Sequence, residues 1–218
     1  AEEKSGKDKK NDKGSDVVVH RLQDGREWTF PHISDFKISK NGNRVVLNSA
    51  GKDSTVKAGV YVFDTRTTAA NMVLAGNGTY KQSAWDDEGS QLAFLADRDS
   101  SKSKQRFYSL YYWRAGTDSA QALVDTLSAR MPQHWLVSEQ YSPQFSQNGG
   151  KLYLGLAPIP AAEDTTLVDF ETARLDIWHW QDPQLQTQQI KDLDKEKKRS
   201  YVARSEEHTS ELQSRQVI

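Results

Sequence analysis

Ile38-Ser-Lys-Asn-Gly42-Asn-Arg-Val45-Val-Leu47, Trp85-Asp-Asp-Glu-Gly89-Ser-Gln-Leu92-Ala-Phe94 and Phe145-Ser-Gln-Asn-Gly149-Gly-Lys-Leu152-Tyr-Leu154 follow one template. A large apolar residue stands four positions before a glycine, and apolar residues stand three and five positions after it. Asn-Gly and Glu-Gly supply a turn in which glycine accepts a positive φ, and the alternating apolar residues after it line one face of a half-buried strand. Each match reads as a hairpin.

A further strand follows each hairpin, at Val60-Tyr-Val-Phe63, Tyr108-Ser-Leu-Tyr-Tyr-Trp113 and Leu175-Asp-Ile-Trp-His-Trp180. Polar turns close these strands at Asp64-Thr-Arg66, Arg114-Ala-Gly116 and Gln181-Asp-Pro183, and a weaker fourth strand is expected at 72–75, 122–127 and 186–190. Upstream, Val17-Val-Val-His-Arg-Leu22 and Glu27-Trp-Thr-Phe30, joined through Asp24-Gly25, read as the third and fourth strands of an earlier unit. A recurring four-strand unit predicts an all-β fold: a partial β-propeller of about three four-stranded blades plus a half blade, forming an open arc. A β-sandwich also alternates and turns at glycine, but it does not account for the recurrence. Irregular spacing is absorbed by loops at 97–106 and 157–174, the second containing Pro158 and Pro160. Ile38, Trp85 and Phe145, with Val45, Leu92 and Leu152, are expected to pack between neighbouring blades. An arc leaves its terminal blades uncovered on one side, so low stability and aggregation are expected of the isolated chain.

With 218 residues, 36% of them hydrophobic and 10% aromatic, the chain can bury a substantial core. A formal net charge of −1 and scattered Lys and Arg argue against a nucleic-acid partner. No apolar run reaches the roughly 20 residues of a bilayer-spanning helix. With no cysteine, disulfides, thiolate metal sites and a cysteine nucleophile are all excluded.

Residues 1–16 alternate Lys with Asp and Glu and carry Gly and Ser, the composition of a disordered linker or blade insertion. The incomplete propeller is expected over 17–203. Residues 204–214 read RSEEHTSELQS, which resembles the in-frame translation of a widely used sequencing adapter. The segment 204–218 is therefore expected to be an artefactual tail, and Glu206, Glu207 and His208 are set aside as metal ligands.

Catalytic signatures are missing: the sequence has no Gly-x-Ser-x-Gly elbow, phosphate-cradling loop, His-Glu-x-x-His or calcium-loop pattern. His20, His32, His134 and His179 are dispersed and read as strand or surface residues, with strand alternation placing His179 on the face opposite Trp178 and Trp180. Asp97, Arg98 and Asp99 read as a solvated charged run, and Asn77-Gly-Thr79 as a bare glycosylation sequon. No catalytic, cofactor-binding or metal-binding residue and no cofactor is assigned.

The glycine-centred segments resemble the propeller repeats of prolyl oligopeptidase-type serine peptidases and of the periplasmic propeller of the Tol system. More specific are Leu175-Asp-Ile-Trp-His-Trp-Gln-Asp-Pro-Gln-Leu-Gln-Thr-Gln-Gln189, Ser138-Glu-Gln-Tyr-Ser-Pro143 and the Pro-rich acidic loop between them. These resemble the propeller of large secreted peptidases of that family from Gram-negative bacteria. The resemblance implies a non-catalytic propeller that gates or binds peptide substrate, partnered by a C-terminal α/β-hydrolase domain carrying the catalytic triad, in a periplasmic or extracellular setting. It also implies a substrate-amine clamp of paired glutamates in one branch, which Glu88, Glu139, Glu163 and Glu171 do not match; these read as turn, strand-end and loop residues. The alternative is a free-standing periplasmic propeller that binds another protein.

Overall fold

The computed structural model describes residues 14–51, 56–99, 105–129, 131–160, 179–206 and 212–214. The first antiparallel sheet runs in chain order through β1 (Ser15–His20), β2 (Glu27–Ile38), β3 (Arg44–Ser49), β4 (Gly59–Asp64) and β5 (Ala69–Ala75). The second contains β6 (Thr79–Trp85), β7 (Gln91–Asp97), β8 (Ser109–Arg114) and β9 (Gln121–Val124). In the third, β10 (Trp135–Val137) and β11 (Gln144–Phe145) both pair with β12 (Lys151–Pro158), followed by β13 (Tyr201–Glu206) and β14 (Leu212–Ser214). Among the described residues one helix, α1 (Gln186–Lys197), interrupts the strands.

The template hairpin forms three times in one register. Ile38 faces Val45, Trp85 faces Leu92 and Phe145 faces Leu152 across their strand pairs. In each turn the glycine has φ near +70°, with values of 70, 66 and 67 at Gly42, Gly89 and Gly149. Its amide donates back to the carbonyl of Ser39, Asp86 or Ser146. The side-chain oxygen of those same three residues accepts the amide of Arg44, Gln91 or Lys151, at 2.9, 2.9 and 3.0 Å. A Ser or Asp three residues before the glycine is thus a further part of the repeat, and it satisfies a turn donor that would otherwise need water.

The turns stack in a column. Arg44 Nη1 donates to the Gly89 carbonyl at 2.6 Å, and Gln91 Nε2 donates to the Gly149 carbonyl at 3.3 Å. This contact gives glycine a second justification, since a Cβ on Gly89 would lie 2.9 Å from Ser39 Cβ.

Period-two alternation sends successive side chains of β7 into different interfaces. Leu92, Phe94 and Ala96 pack with Val46, Val60 and Val62 of the first sheet, whereas Ala93 and Leu95 pack with Leu152, Leu154 and Leu156 of the third. Both faces of the second sheet are therefore buried between other sheets. A two-layer sandwich cannot do this, and stacked propeller blades can. Each fully buried Leu or Phe contributes roughly 1.5–3 kcal/mol against solvent exposure. The apolar clusters follow one another along the chain and do not close the sheets into a ring among the described residues. The fold is a partial β-propeller.

The amino-terminal strand pair differs from the expected separate unit. β2 continues from Glu27 to Ile38, pairing with β1 through its first half and with β3 through its second. It turns at His32, whose φ is 57. This bend folds the hairpin over the outer face of the first sheet, where Val17, Val19, Trp28 and Phe30 pack on Val45, Leu47 and Phe63. Phe63 meets the Trp28 and Phe30 rings at 5.4 and 5.1 Å. The pair occupies the place of a neighbouring blade while remaining hydrogen-bonded to the blade it covers.

Other expectations are corrected. Ile38 does not pack between blades but is 54% exposed, while Val45, Leu92 and Leu152 are buried as expected and Trp85 and Phe145 are partly so. β9 stops at Val124 because the Asp125 carboxylate captures the Leu127 amide and the Ser128 hydroxyl in a turn, leaving Leu127 90% exposed. Residues 186–190 lie in α1 rather than a strand: Gln and Lys favour helix, Lys195 and Lys197 suit its carboxyl end, and no side chain of the helix is buried. Of the strand expected at 175–180, residues 175–178 lie outside the described residues, and the place beside β12 belongs to β13, with Ala203 opposite Leu154. β13 runs past Ala203 to Glu206, with Ser205 buried. His179 is not in a strand; its ring lies 5.7 Å from that of Trp180, and its Nδ1 accepts the Gln181 amide. The loop expectations at 100–104 and 161–174 also fall outside the described residues.

Candidate functional site

Among the described residues β6 pairs with β7, leaving one edge unpaired within its sheet, and β10 and β11 pair with β12, while Val137 of β10 also bridges to Tyr108 just before β8. Beside these strands lies a cavity of about 1220 Å³, lined by residues 34–37 of β2, 49–51 at the end of β3, 77–83 leading into and along β6, Arg106 and Ser142. Its wall comes from chain segments far apart in sequence, brought together by the stacking of the sheets.

Polar side chains tie the opening strands to one another. Lys37 Nζ donates to the Ser83 carbonyl at 2.9 Å, and Trp85 Nε1 donates to the Lys37 carbonyl at 3.0 Å, joining the first sheet to the second. Lys81 Nζ lies 2.7 Å from Glu139 Oε2 and 5.6 Å from the centre of the Tyr108 ring. Burial works against the Lys81 charge, but the Glu139 carboxylate and Tyr108 outweigh it and carry the ammonium pKa above its ordinary value. Burial, reinforced by Glu139, likewise raises the Tyr108 phenol. Gln82 sits in the bulge between Lys81 and Ala84 with φ 56, and its Nε2 donates to the Glu139 carbonyl at 3.0 Å. A non-glycine residue in the left-handed region costs about 1–3 kcal/mol, and here a cross-sheet hydrogen bond holds it.

The acidic run after β7 has a structural use. Asp97 is buried, and its carboxylate accepts Arg106 Nη1 at 3.0 Å and the Asp99 amide at 3.0 Å. Arg98 reaches the Ala75 carbonyl. Among the described residues no group of three His, Cys, Asp or Glu is placed to hold a metal ion. His20 bonds Glu27 at 3.0 Å, His134 has φ 61 just before β10, and with His32 and His179 they occupy separate places. The sequon residues Asn77, Gly78 and Thr79 form part of the cavity wall. Glu88 offers its carbonyl to Asn41 Nδ2, whereas Glu163 and Glu171 lie outside the described residues.

Lys37, Lys81, Arg106 and Glu139 escape the sequence reading. Glu139 stands in a stretch already singled out, where it reads as a strand-end residue, and Arg106 closes the loop expected at 97–106. Nothing in the local sequence pairs Lys81 with Glu139, since their contact exists only once two sheets stack. Chemically, the wall offers ammonium groups, hydroxyls and backbone amide edges, a surface suited to hydrogen bonding with a polar chain.

No protein-family model and no curated protein matches the chain. Among solved structures it is similar to TolB from Acinetobacter baumannii, at 12% identity and TM-score 0.45 over 91% of this chain and 37% of that one. It is similar to the Pyrococcus horikoshii acylaminoacyl peptidase, at 13% identity and TM-score 0.43 over 64% of this chain and 23% of that one. It is also similar to an oligogalacturonate lyase from Vibrio parahaemolyticus, at 11% identity and TM-score 0.46 over 92% of this chain and 46% of that one. The chain spans less than half the length of each of these structures. Likeness at this level singles out no activity.

Proposed function

We propose that this chain is the non-catalytic propeller portion of a prolyl oligopeptidase-like serine peptidase, binding or gating peptide substrate at the groove beside the opening strands. The observation that carries the reading is the groove itself, where strand edges and polar side chains from successive blades line about 1220 Å³. An extended peptide can add hydrogen bonds along such edges. The resemblance at Leu175-Asp-Ile-Trp-His-Trp180 and Ser138-Glu-Gln-Tyr-Ser-Pro143 supplies the family.

On this reading acyl transfer belongs to a partner α/β-hydrolase domain, and the described blades are part of a larger ring in a periplasmic or secreted protein. Residues 204–218 are adapter-derived on the same reading. The position of Lys151 supports a larger ring: it matches Arg44 and Gln91 in the template, both of which reach the turn of the next blade. The test is the genomic reading frame beyond the codon for Ala203. A Gly-x-Ser-x-Gly within a strand-turn-helix segment supports the peptidase, and a stop codon soon after the last blade overturns it in favour of a free-standing propeller.

A further inference from the structure

We infer that the groove recognises a carboxylate, held by Lys37. The inference rests on the groove being a peptide site and names the group on the peptide that it takes. Three basic side chains line the cavity. Two are already matched by carboxylates, Lys81 by Glu139 at 2.7 Å and Arg106 by Asp97 at 3.0 Å. Lys37 is different: among the described residues the partner its ammonium has is the neutral Ser83 carbonyl at 2.9 Å. An ammonium carries three donors, so two remain for a ligand.

The neighbourhood of Lys37 supports the assignment. Ser83, which holds the ammonium in place, is buried and its hydroxyl has no hydrogen-bond partner among the described residues. That hydroxyl is closed to solvent, so the donors that this corner presents to a ligand in the groove are those of the Lys37 ammonium. Asp35, the acidic residue of the lining, does not pair with Lys37; its Oδ1 accepts the Phe36 amide at 2.9 Å. Its charge nevertheless opposes an incoming anion. Asp35 therefore lowers both the affinity for an anion and the preference for acidic over neutral ligands that Lys37 provides.

A carboxylate reaches the groove either as a peptide's free C-terminus or as an Asp or Glu side chain. Three short peptides of one uncharged sequence separate these sources: one blocked at both ends, one with a free C-terminal carboxylate, and one blocked but carrying a central Glu. Binding is read on the 218-residue chain from backbone amide shifts at Lys37 and Ser83, with sodium acetate as a minimal probe. A charge-assisted hydrogen bond is roughly twice as strong as a neutral one, so about tenfold tighter binding is expected for at least one acidic peptide. Lys37→Met should abolish the preference, Lys37→Arg should retain it, and Asp35→Asn should strengthen it. Lys191→Met on the exposed helix should change nothing.

Equal binding of all three peptides, or a preference surviving Lys37→Met, overturns the carboxylate assignment and leaves the peptide groove standing. Lys37-dependent acetate shifts without binding of any peptide support the carboxylate site and overturn the peptide reading. Absence of shifts with every probe overturns both.

Discussion

The three template glycines share a backbone conformation but not a neighbourhood, so one substitution made three times should have graded effects. Placing an L-residue in the left-handed region costs about 1–2 kcal/mol by itself. At Gly42, with φ 70, nothing lies within 4 Å of an added Cβ, so Gly42→Ala should cost only that amount. At Gly89 the new methyl would lie 2.9 Å from both Ser39 Cβ and Asn41 Oδ1. Ser39 is buried, and its hydroxyl accepts the Arg44 amide, so it cannot move aside without weakening that bond. A lost hydrogen bond of this kind costs about 1 kcal/mol, and displacement of the turn column adds to it, giving roughly 2–4 kcal/mol for Gly89→Ala. Gly149→Ala should fall between, because the nearest atom at 2.7 Å is Gln91 Nε2, the end of a flexible side chain.

The assay is equilibrium unfolding in urea followed by tryptophan fluorescence, with thermal melts alongside. For a chain of this size 1 kcal/mol shifts the midpoint by roughly 2–4 °C, so the difference between Gly42→Ala and Gly89→Ala should be measurable. Equal destabilisation by the two would refute the stacked turn column and leave only local backbone strain. A soluble monomer of the unmodified chain with a sharp transition would refute the low stability expected of an open arc.

Leu92→Ala, which opens a cavity between the first two blades, should cost about 2–5 kcal/mol, while Leu127→Ala, 90% exposed, should stay within about 0.5 kcal/mol in the same urea titration. Asp24 hydrogen-bonds Arg21, which holds its carboxyl at about 2. Because the folded value lies below the ordinary value near ~3.9, its contribution is complete above that pH and is lost as pH falls through about 2. An NMR titration should place the Asp24 midpoint near 2, and Arg21→Gln should return it towards the ordinary value. A fluorophosphonate should label no serine stoichiometrically; one modified site would reveal a nucleophile and contradict the non-catalytic reading.

What the sequence discloses follows the range of the interactions. The hairpins are legible because their determinants are local: a glycine, apolar residues at fixed offsets, and period two along the strand. Val45, Leu92 and Leu152 could be placed in the core from that pattern, and they are buried. Ile38 occupies the same template position as Trp85 yet is 54% exposed, because the hairpin on the outer face packs over Val45, Leu47 and Phe63 and does not extend over Ile38. The template marks which side chains share a face, but not whether anything lies opposite. The groove was illegible for the same reason. Lys81 and Glu139 meet only across two stacked sheets, and neither residue type is unusual where it stands. Residues 186–190 are illegible as the start of α1 because an apolar residue in a short polar run fits a weak strand as readily as a helix, and no buried face decides between them.

The polar ties and the apolar interfaces form one mechanical unit. Between the first two blades, Arg44 reaches the Gly89 carbonyl at the turn column and Lys37 reaches the Ser83 carbonyl on the opening strand, with Val46, Leu92 and Phe94 filling the space between. Between the second and third, Gln91 and Lys81 do the same on either side of Leu95 and Leu154. These two apolar interfaces are thus flanked by polar contacts whose geometry holds only while the sheets keep their separation. Close-packed interiors transmit such displacements, so the positions of Lys37 and Ser83 depend on packing well away from the groove. The groove is a property of the stack, and its chemistry is set by two lysines only as long as the blades that carry them stay in register.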